Sequence, residues 1–315
     1  MSTENTYRDI IIIGGGAAGL TAAQYGGRAN LKTMLIEEMA PGGQALVIDD
    51  LENYPGFPDK LTGFELAQRL TIQAQNFGAE ILPATVNSVV KEGDLYTIST
   101  NKGEYTTHAV ILATGAKHRK LAIPGEEKYS GRGVSYCATC DGPFFRKKKM
   151  LVVGGGDAAC DEALFLSKLT DDLVMIHRRD RFRAQKVLAE RVKNHEHIDV
   201  RFSHELKEIK GDGSRISTVV FYDKVADKEY EEEFDAVFIF VGSIPQTALA
   251  EGIVKDETGY IVTNQEMESS QKGFYAVGDV RATPFRQLIV AAGEGAVASH
   301  CAAQYIDELH GEAYQ

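Results

Sequence analysis

Cys137 and Cys140 stand three positions apart in Cys137-Ala138-Thr139-Cys140-Asp141. Fourteen residues after the second cysteine begins a glycine-rich turn, Gly154-Gly155-Gly156-Asp157-Ala158-Ala159. A similar turn, Gly14-Gly15-Gly16-Ala17-Ala18-Gly19, lies near the N-terminus. Paired thiols store two electrons as a disulfide, and a GxGxxG turn holds a dinucleotide. One such turn is weak evidence. Two of them, with a dithiol beside the second, imply electron traffic from a nucleotide to a disulfide.

The elements around the turns fit this chemistry. The apolar runs 10–13 and 150–153 read as short buried strands, and each turn opens a helical stretch. The first glycine permits the tight turn and the second admits the pyrophosphate to the backbone. The phosphates then rest on N–H groups at a helix N-terminus, where the dipole favours an anion. Ala159 stands at the third glycine position, a replacement the fingerprint tolerates.

The pattern is duplicated. Gly14 to Glu37 spans 23 residues, and Gly154 to His177 also spans 23. Each interval closes on a second strand, 32–36 and 173–176. The run Ala109-Val110-Ile111-Leu112-Ala113-Thr114-Gly115 matches 236–242 in pattern. Each half therefore reads as βαβ, an irregular or antiparallel insert, then a closing strand and a glycine turn. The halves differ where the nucleotide is chosen. An acidic residue after the second strand bonds ribose hydroxyls, whereas arginine suits a 2′-phosphate. Glu37 and Glu38 predict FAD or NAD in the first half. His177, Arg178 and Arg179, followed by Arg181 and Arg183, predict NADPH in the second.

The segment after residue 245 has no third glycine turn. It carries a strand running into Gly278-Asp279, then a helix over 287–305 rich in small residues. It is expected to return to the first domain. That gives three segments: 1–116, an inserted 117–244, and 245–315, with linkers near 115–124 and 242–245 that are natural hinges.

A net charge of −11 argues against nucleic acid as a partner, since phosphate contacts need clustered Lys and Arg. No apolar run approaches the roughly 20 residues of a membrane helix. The polar first nine residues lack a signal-peptide core, so a cytoplasmic location is expected. A lone CxxC in such a protein is redox or metal chemistry. A metal site would need two more ligands, and His195 with His197 form only a loose pair, so no metal is expected. Cys160 and Cys301 are expected to pack as small hydrophobes.

These motifs together, over essentially the whole chain, resemble the bacterial low-molecular-weight thioredoxin reductases. The matching segments are GGGAAG at 14–19, GGQ at 42–44, ENYPG at 52–56, ATG at 113–115, CATCDG at 137–142, GGGDAA at 154–159, HRRDRFRA at 177–184, GD at 278–279 and RQ at 286–287. The resemblance implies an α/β fold of two Rossmann-like dinucleotide-binding domains, each of three layers (ββα), with the NADPH domain inserted into the FAD domain. It implies a homodimer whose domains rotate against each other.

It further implies that FAD is held by Gly14, Gly16, Ala17, Ala18, Gly19, Glu37 and Glu38, with Gly42, Gly43, Gln44 and Asn53 lining the flavin pocket. Ala113, Thr114 and Gly115 pass near it, and Val86 meets the adenine side. Gly278 and Asp279 would hold the ribityl chain, and Arg286 with Gln287 would start a flavin-facing helix. NADPH would be held by Gly154, Gly156, Asp157, Ala158, Ala159, His177, Arg178, Arg179 and Arg183. A Cys137–Cys140 disulfide would take electrons from the flavin at Cys140 and pass them to thioredoxin from Cys137, with Asp141 moving the proton.

Pro143 stiffens the turn after the dithiol. The basic run 146–149 reads as a solvated loop. Asp157 would repel phosphates unless it caps. A glutaredoxin-like or peroxidase-linked partner would leave the same motifs. A flavin oxidase or a ferredoxin-dependent relative would not need the arginine cluster. A nucleotide sensor would not need the dithiol.

Overall fold

The computed structural model describes residues 6–48, 51, 53–59 and 61–311. Residues 1–5 of the polar N-terminal stretch and Glu52 of the 52–56 motif lie outside the described residues. The chain divides into two compact units, one built from 1–117 and 245–315, the other from 118–244.

The first unit begins with β1 (Tyr7–Ile13), α1 (Ala17–Arg28), β2 (Thr33–Glu37), α2 (Gly63–Asn76) and β3 (Glu80–Pro83). A meander follows: β4 (Val86–Glu92), β5 (Leu95–Thr100) and β6 (Gly103–Leu112). The four isoleucines 10–13 make β1 a β-branched strand buried on both faces, which suits the middle of a parallel sheet. Ile10 pairs in register with Thr33 on one side and Ala109 on the other. The alternation along β1 then divides the core. Ile10 and Ile12 join Leu20 of α1 and Leu66 of α2. Ile11 and Ile13 join Tyr96 and Ile98 of the meander. Helices cover one face and the meander the other, giving three layers. α2 starts at a capping box in which Thr62 Oγ1 accepts the Glu65 N–H and Glu65 accepts the Thr62 N–H.

A short strand, β7 (Ala116–His118), leads to the second unit. That unit holds β8 (Val134–Ser135), α3 (Ala138–Asp141), β9 (Met150–Gly154), α4 (Asp157–Leu166), β10 (Leu173–His177), α5 (Lys186–Lys193) and β11 (Ile198–Phe202). The meander β12 (His204–Gly211), β13 (Ile216–Asp223) and β14 (Lys228–Glu233) precedes β15 (Ala236–Phe240). The parallel sheet runs β11-β10-β9-β15-β8. Met150 and Val152 face the helices with Cys160 and Leu166. Leu151 and Val153 face the meander with Leu206 and Phe221. β16 (Ser243–Pro245), which pairs with β7, returns the chain to the first unit. There β17 (Phe274–Ala276) and α6 (Leu288–His310) complete it.

The first unit's parallel strands run β3-β2-β1-β6, and β17 adds to β6. The fifth strand is thus supplied differently in each unit. β17 comes from the returning segment, and β8 precedes the other four strands of its sheet. Both end at residues expected in the site: β17 runs into Gly278 and Asp279, and β8 leads to Cys137.

Candidate functional site

The first nucleotide loop is crowded on one side and open on the other. Gly14 has φ +106°, and a Cβ there would lie 2.4 Å from the Ala113 carbonyl oxygen. A Cβ on Gly19 would lie 1.9 Å from the Gly14 oxygen. These two glycines let α1 pack against the strand ends. Gly16, the N-cap of α1, would meet nothing within 4 Å. The open side carries the Ala17 and Ala18 N–H groups of the first helical turn, which have no partner within the helix. This is the cradle a pyrophosphate fits.

Of the other residues expected in the first unit, Glu37, Gly42, Gly43, Ala113 and Gly278 touch the loop or the first turn of α1. Glu37 accepts the Gly15 N–H at 2.6 Å and the Met39 N–H at 2.9 Å, while Glu38 is exposed beside it. The Gly42 N–H bonds the Gly15 carbonyl, and Gly43 packs against Gly16. Gln44 donates to the Ala116 carbonyl. Asn53 donates to Gln287 at 2.9 Å, so two widely separated motifs meet. Val86 is half-buried at the start of β4. Thr114 donates to the Gln246 carbonyl at 2.7 Å, and the Gln246 N–H bonds the Gly115 carbonyl.

Asp279 sits on a 3-10 turn after β17. Burial pushes its carboxyl above the usual range, Arg286 draws it down, and Glu294 raises it again. Arg286 lies over the Tyr260 ring at 4.1 Å. Gln287 is the N-cap of α6 without a side-chain cap bond, which leaves N–H groups at that helix start. A pair that the sequence did not point to supports this turn. Glu294 is buried, accepts the Gly278 N–H at 2.7 Å and binds Arg281. Arg281 also donates to Thr263. The available signal was a lone acid in the small-residue run 291–299.

The second loop repeats the design with different chemistry. A Cβ on Gly154 would lie 2.5 Å from the Phe240 oxygen and from the Ala159 Cβ. Gly156 caps α4 and is open, like Gly16. Ala158 is exposed beside it. His177 is buried against Gly155, and its Nε2 has no partner among the described residues. Burial lowers the pKa of His177, and the cations of Arg179, Arg178 and Arg183 lower it further. The ring is therefore neutral, with three guanidinium groups around it. Arg178, Arg179 and Arg183 are exposed and form no ion pair among the described residues. Three exposed guanidinium groups at this place fit a phosphate dianion. Asp157 does not cap α4. Its carboxylate accepts the Gln185 N–H at 2.7 Å and so ties down the loop after Arg183.

Cys137 and Cys140 form a disulfide with Cα atoms 5.3 Å apart. Cys137 is the N-cap of α3 and half-buried, and its Sγ accepts the Cys140 N–H at 3.2 Å. Cys140 is only 7% exposed. The Ser135 hydroxyl accepts the Cys137 N–H and donates to the Cys137 carbonyl. The Asp141 N–H bonds the same carbonyl, which places the half-buried Asp141 one residue after the inner sulfur. Pro143 falls in the first turn of a short 3-10 helix, where a missing N–H costs little.

The basic run is largely solvated, with residues 146–148 exposed, and its last two lysines also form ion pairs. Lys149 pairs with Glu232 at 2.9 Å and Lys148 with Asp235 at 3.6 Å. Cys160 and Cys301 are unpaired, and Cys160 is fully buried. Burial pushes the Cys160 thiol up to about 11, with Asp157 and Asp161 adding to the rise. His195 meets Ser167 and His197 meets Asp171. Among the described residues no group of three or more His, Cys, Asp or Glu side chains is placed to hold a metal ion. No described helix is long and apolar enough to cross a membrane.

Comparison with known proteins agrees with this geometry. The pyridine nucleotide-disulphide oxidoreductase family matches residues 8–295. The thioredoxin reductase of Treponema pallidum is 54% identical over 301 residues, covering 96% of this chain and 98% of the relative. That of Listeria innocua is 43% identical over 311 residues, covering 98% and 97%. The crystal structure of thioredoxin reductase from Streptococcus pyogenes superposes with a TM-score of 0.84 at 40% identity, covering 97% of this chain and all of that one. The chain belongs to the pyridine nucleotide-disulphide oxidoreductase family, and within it to the thioredoxin reductases.

Proposed function

We propose that the protein is an NADPH-dependent flavoprotein that reduces the disulfide of thioredoxin through Cys137 and Cys140. The observation that carries this reading is the disulfide itself, with one sulfur half-exposed and the other buried, in the unit whose nucleotide loop faces an arginine cluster.

FAD, when bound, supplies a carrier that accepts a hydride from NADPH and passes two electrons to a disulfide. The open face at Gly16 and the N–H groups of Ala17 and Ala18 bind its pyrophosphate. Glu37 and Glu38 accept from the adenosine ribose, and Val86 meets the adenine side. Gly42, Gly43, Gln44, Asn53, Ala113, Thr114 and Gly115 shape the flavin pocket. Asp279, on the turn that opens at Gly278, would hold the ribityl chain, and the N–H groups at the α6 start beside Arg286 and Gln287 would stabilise a reduced, anionic flavin. In the second unit Gly154, Gly156, Ala158 and Ala159 admit the NADPH pyrophosphate, with Asp157 holding the adjacent loop. His177, Arg178, Arg179 and Arg183 recognise the 2′-phosphate.

Once the pair is reduced, Cys137 is the accessible thiolate. The Cys140 N–H that bonds its sulfur also stabilises negative charge there. Cys137 attacks one sulfur of the partner disulfide, forming a mixed disulfide and releasing the partner's other thiolate. Cys140 then displaces the partner and restores the Cys137–Cys140 bond. Asp141 gives and takes the proton at this step. We place the enzyme in the cytoplasm, as a homodimer.

The test is NADPH consumption by FAD-loaded protein with oxidised thioredoxin, beside Cys137→Ser. Turnover by the wild type but not the variant, with flavin reduction by NADPH intact in both, supports the relay. Flavin reduction without thioredoxin reduction in the wild type directs the search to other disulfide proteins.

A further inference from the structure

A cluster at the entrance to the second unit is explained by neither nucleotide loop. Glu126 is 1% exposed. Its Oε1 accepts the Leu121 N–H at 2.9 Å and the Tyr136 hydroxyl at 2.8 Å, and its Oε2 accepts the Ala122 N–H at 2.7 Å. Ala122 has φ +59°, a left-handed conformation that an L side chain avoids. The carboxylate therefore holds a strained residue of the linker by its N–H. Tyr136 also stacks on His118 of the same linker, with ring centroids 5.6 Å apart and 17° between planes. Tyr136 directly precedes Cys137, whose N–H and carbonyl are both bonded to the Ser135 hydroxyl.

A carboxylate at this depth is costly unless donors meet its oxygens, and an apolar side chain would fill the space at less cost. Stored backbone strain is likewise kept where the surroundings hold it for a purpose. Both features converge on the residue before the exchanging cysteine. We propose that Glu126, acting through the Tyr136 hydroxyl, is a positioning residue for the dithiol. It fixes the backbone entering Cys137 and so keeps the two sulfurs within bonding reach after reduction. The proposal rests on Cys137 and Cys140 being the redox pair.

The physical consequence is an equilibrium. Two electrons and two protons pass from dithiothreitol to the Cys137–Cys140 disulfide, giving the protein dithiol and oxidised dithiothreitol. The tighter the two thiols are held, the more the disulfide is favoured. Loss of the clamp shifts the balance toward the dithiol.

The test uses full-length, FAD-loaded protein equilibrated with dithiothreitol redox buffers, with cysteine state read by alkylation and mass. Tyr136→Phe removes one hydroxyl and keeps the ring stack. It is expected to shift the equilibrium at least about threefold toward the dithiol, the scale of one net hydrogen bond. Its melting temperature should fall only slightly, because Glu126 keeps both N–H donors. Glu126→Gln should shift the equilibrium as far and also lower the melting temperature. Adding Ala122→Gly, which accepts a positive φ without strain, should restore the melting temperature but not the equilibrium. An unshifted equilibrium in Tyr136→Phe overturns the proposal. So does an Ala122→Gly rescue of both readouts, which would make Glu126 a support of the linker alone. Thioredoxin turnover by the wild type is measured in parallel. Its failure would overturn the partner assignment and leave the thiol equilibrium as the test of the clamp.

Discussion

Glu37 accepts the Gly15 N–H at 2.6 Å, and at the matching place in the second unit the His177 ring packs against Gly155. The two loops have the same spacing and the same open central glycine. They differ in what stands against the glycine before it. One has a carboxylate there, bonded to the loop backbone. The other has a buried neutral ring flanked by three guanidinium groups.

That contrast predicts coenzyme choice. Arg179→Ala or Arg183→Ala should raise the KM for NADPH by about 10-fold or more, the scale of a lost charge-assisted hydrogen bond. The KM for NADH should hardly change, because NADH has no 2′-phosphate. Steady-state kinetics with both coenzymes check this. Equal loss with both would place the arginines elsewhere in the site.

His177 also predicts a pH dependence of stability. Unfolded, an imidazole takes up its proton near the ordinary value of 6.5. Folded, His177 does so only at lower pH, because burial and the three arginines oppose the charge. Below about 6.5 the unfolded chain binds the extra proton, so stability falls as pH drops until the folded ring also protonates. His177→Gln should lose less stability between pH 7 and 5 than the wild type. Thermal melts of FAD-loaded protein without NADPH measure the slopes. Parallel slopes would mean that the ring is not buried as described.

The crowded and open glycines should separate folding from cofactor binding. Gly19→Ala puts a Cβ 1.9 Å from the Gly14 oxygen, so α1 must shift and the unit should lose both stability and flavin. Gly16→Ala meets no protein atom within 4 Å. It should fold with a melting temperature near that of the flavin-free wild type, yet hold little FAD, because the Cβ enters the phosphate's approach. The ratio of flavin to protein absorbance should fall in both, and thermal melts of the flavin-free proteins distinguish the two variants.

How far the sequence could be read follows from which interactions are local. The isoleucine run at 10–13, the two glycine loops and the equal intervals to Glu37 and His177 reflect strand and helix periodicities a few residues long. They could be read directly, and the second strands end within a residue of expectation, at Glu37 and His177. The α6 helix runs to His310 rather than 305, because Gly311 at φ +73° supplies a left-handed stop that lies beyond the small-residue run. Asp157 read as a charge that would repel phosphates unless it caps; it does not cap, and its partner is an N–H 28 residues away. Lys148 and Lys149 read as a solvated run, and their partners Asp235 and Glu232 lie more than 80 residues on. The Asn53–Gln287 bond and the Glu126 clamp are of the same kind. Side chains that meet only through the tertiary fold leave no spacing in the sequence to count.

Glu294 and Arg281 are the last of these long-range pairs, and their effect should be divisible. Both side chains are largely buried, and Glu294 also holds the Gly278 N–H at the turn that carries Asp279. Glu294→Ala leaves a buried guanidinium and a buried N–H unmet, which should cost about 3–5 kcal/mol and release flavin. Replacing both members by methionine removes the orphaned charge, so most of that stability should return. The Gly278 N–H remains without its acceptor, the Asp279 turn remains loose, and flavin occupancy should stay low. Thermal melts and flavin absorbance on the single and double variants give the answer. If occupancy recovers along with melting temperature, the pair serves the core of the unit and not the cofactor turn.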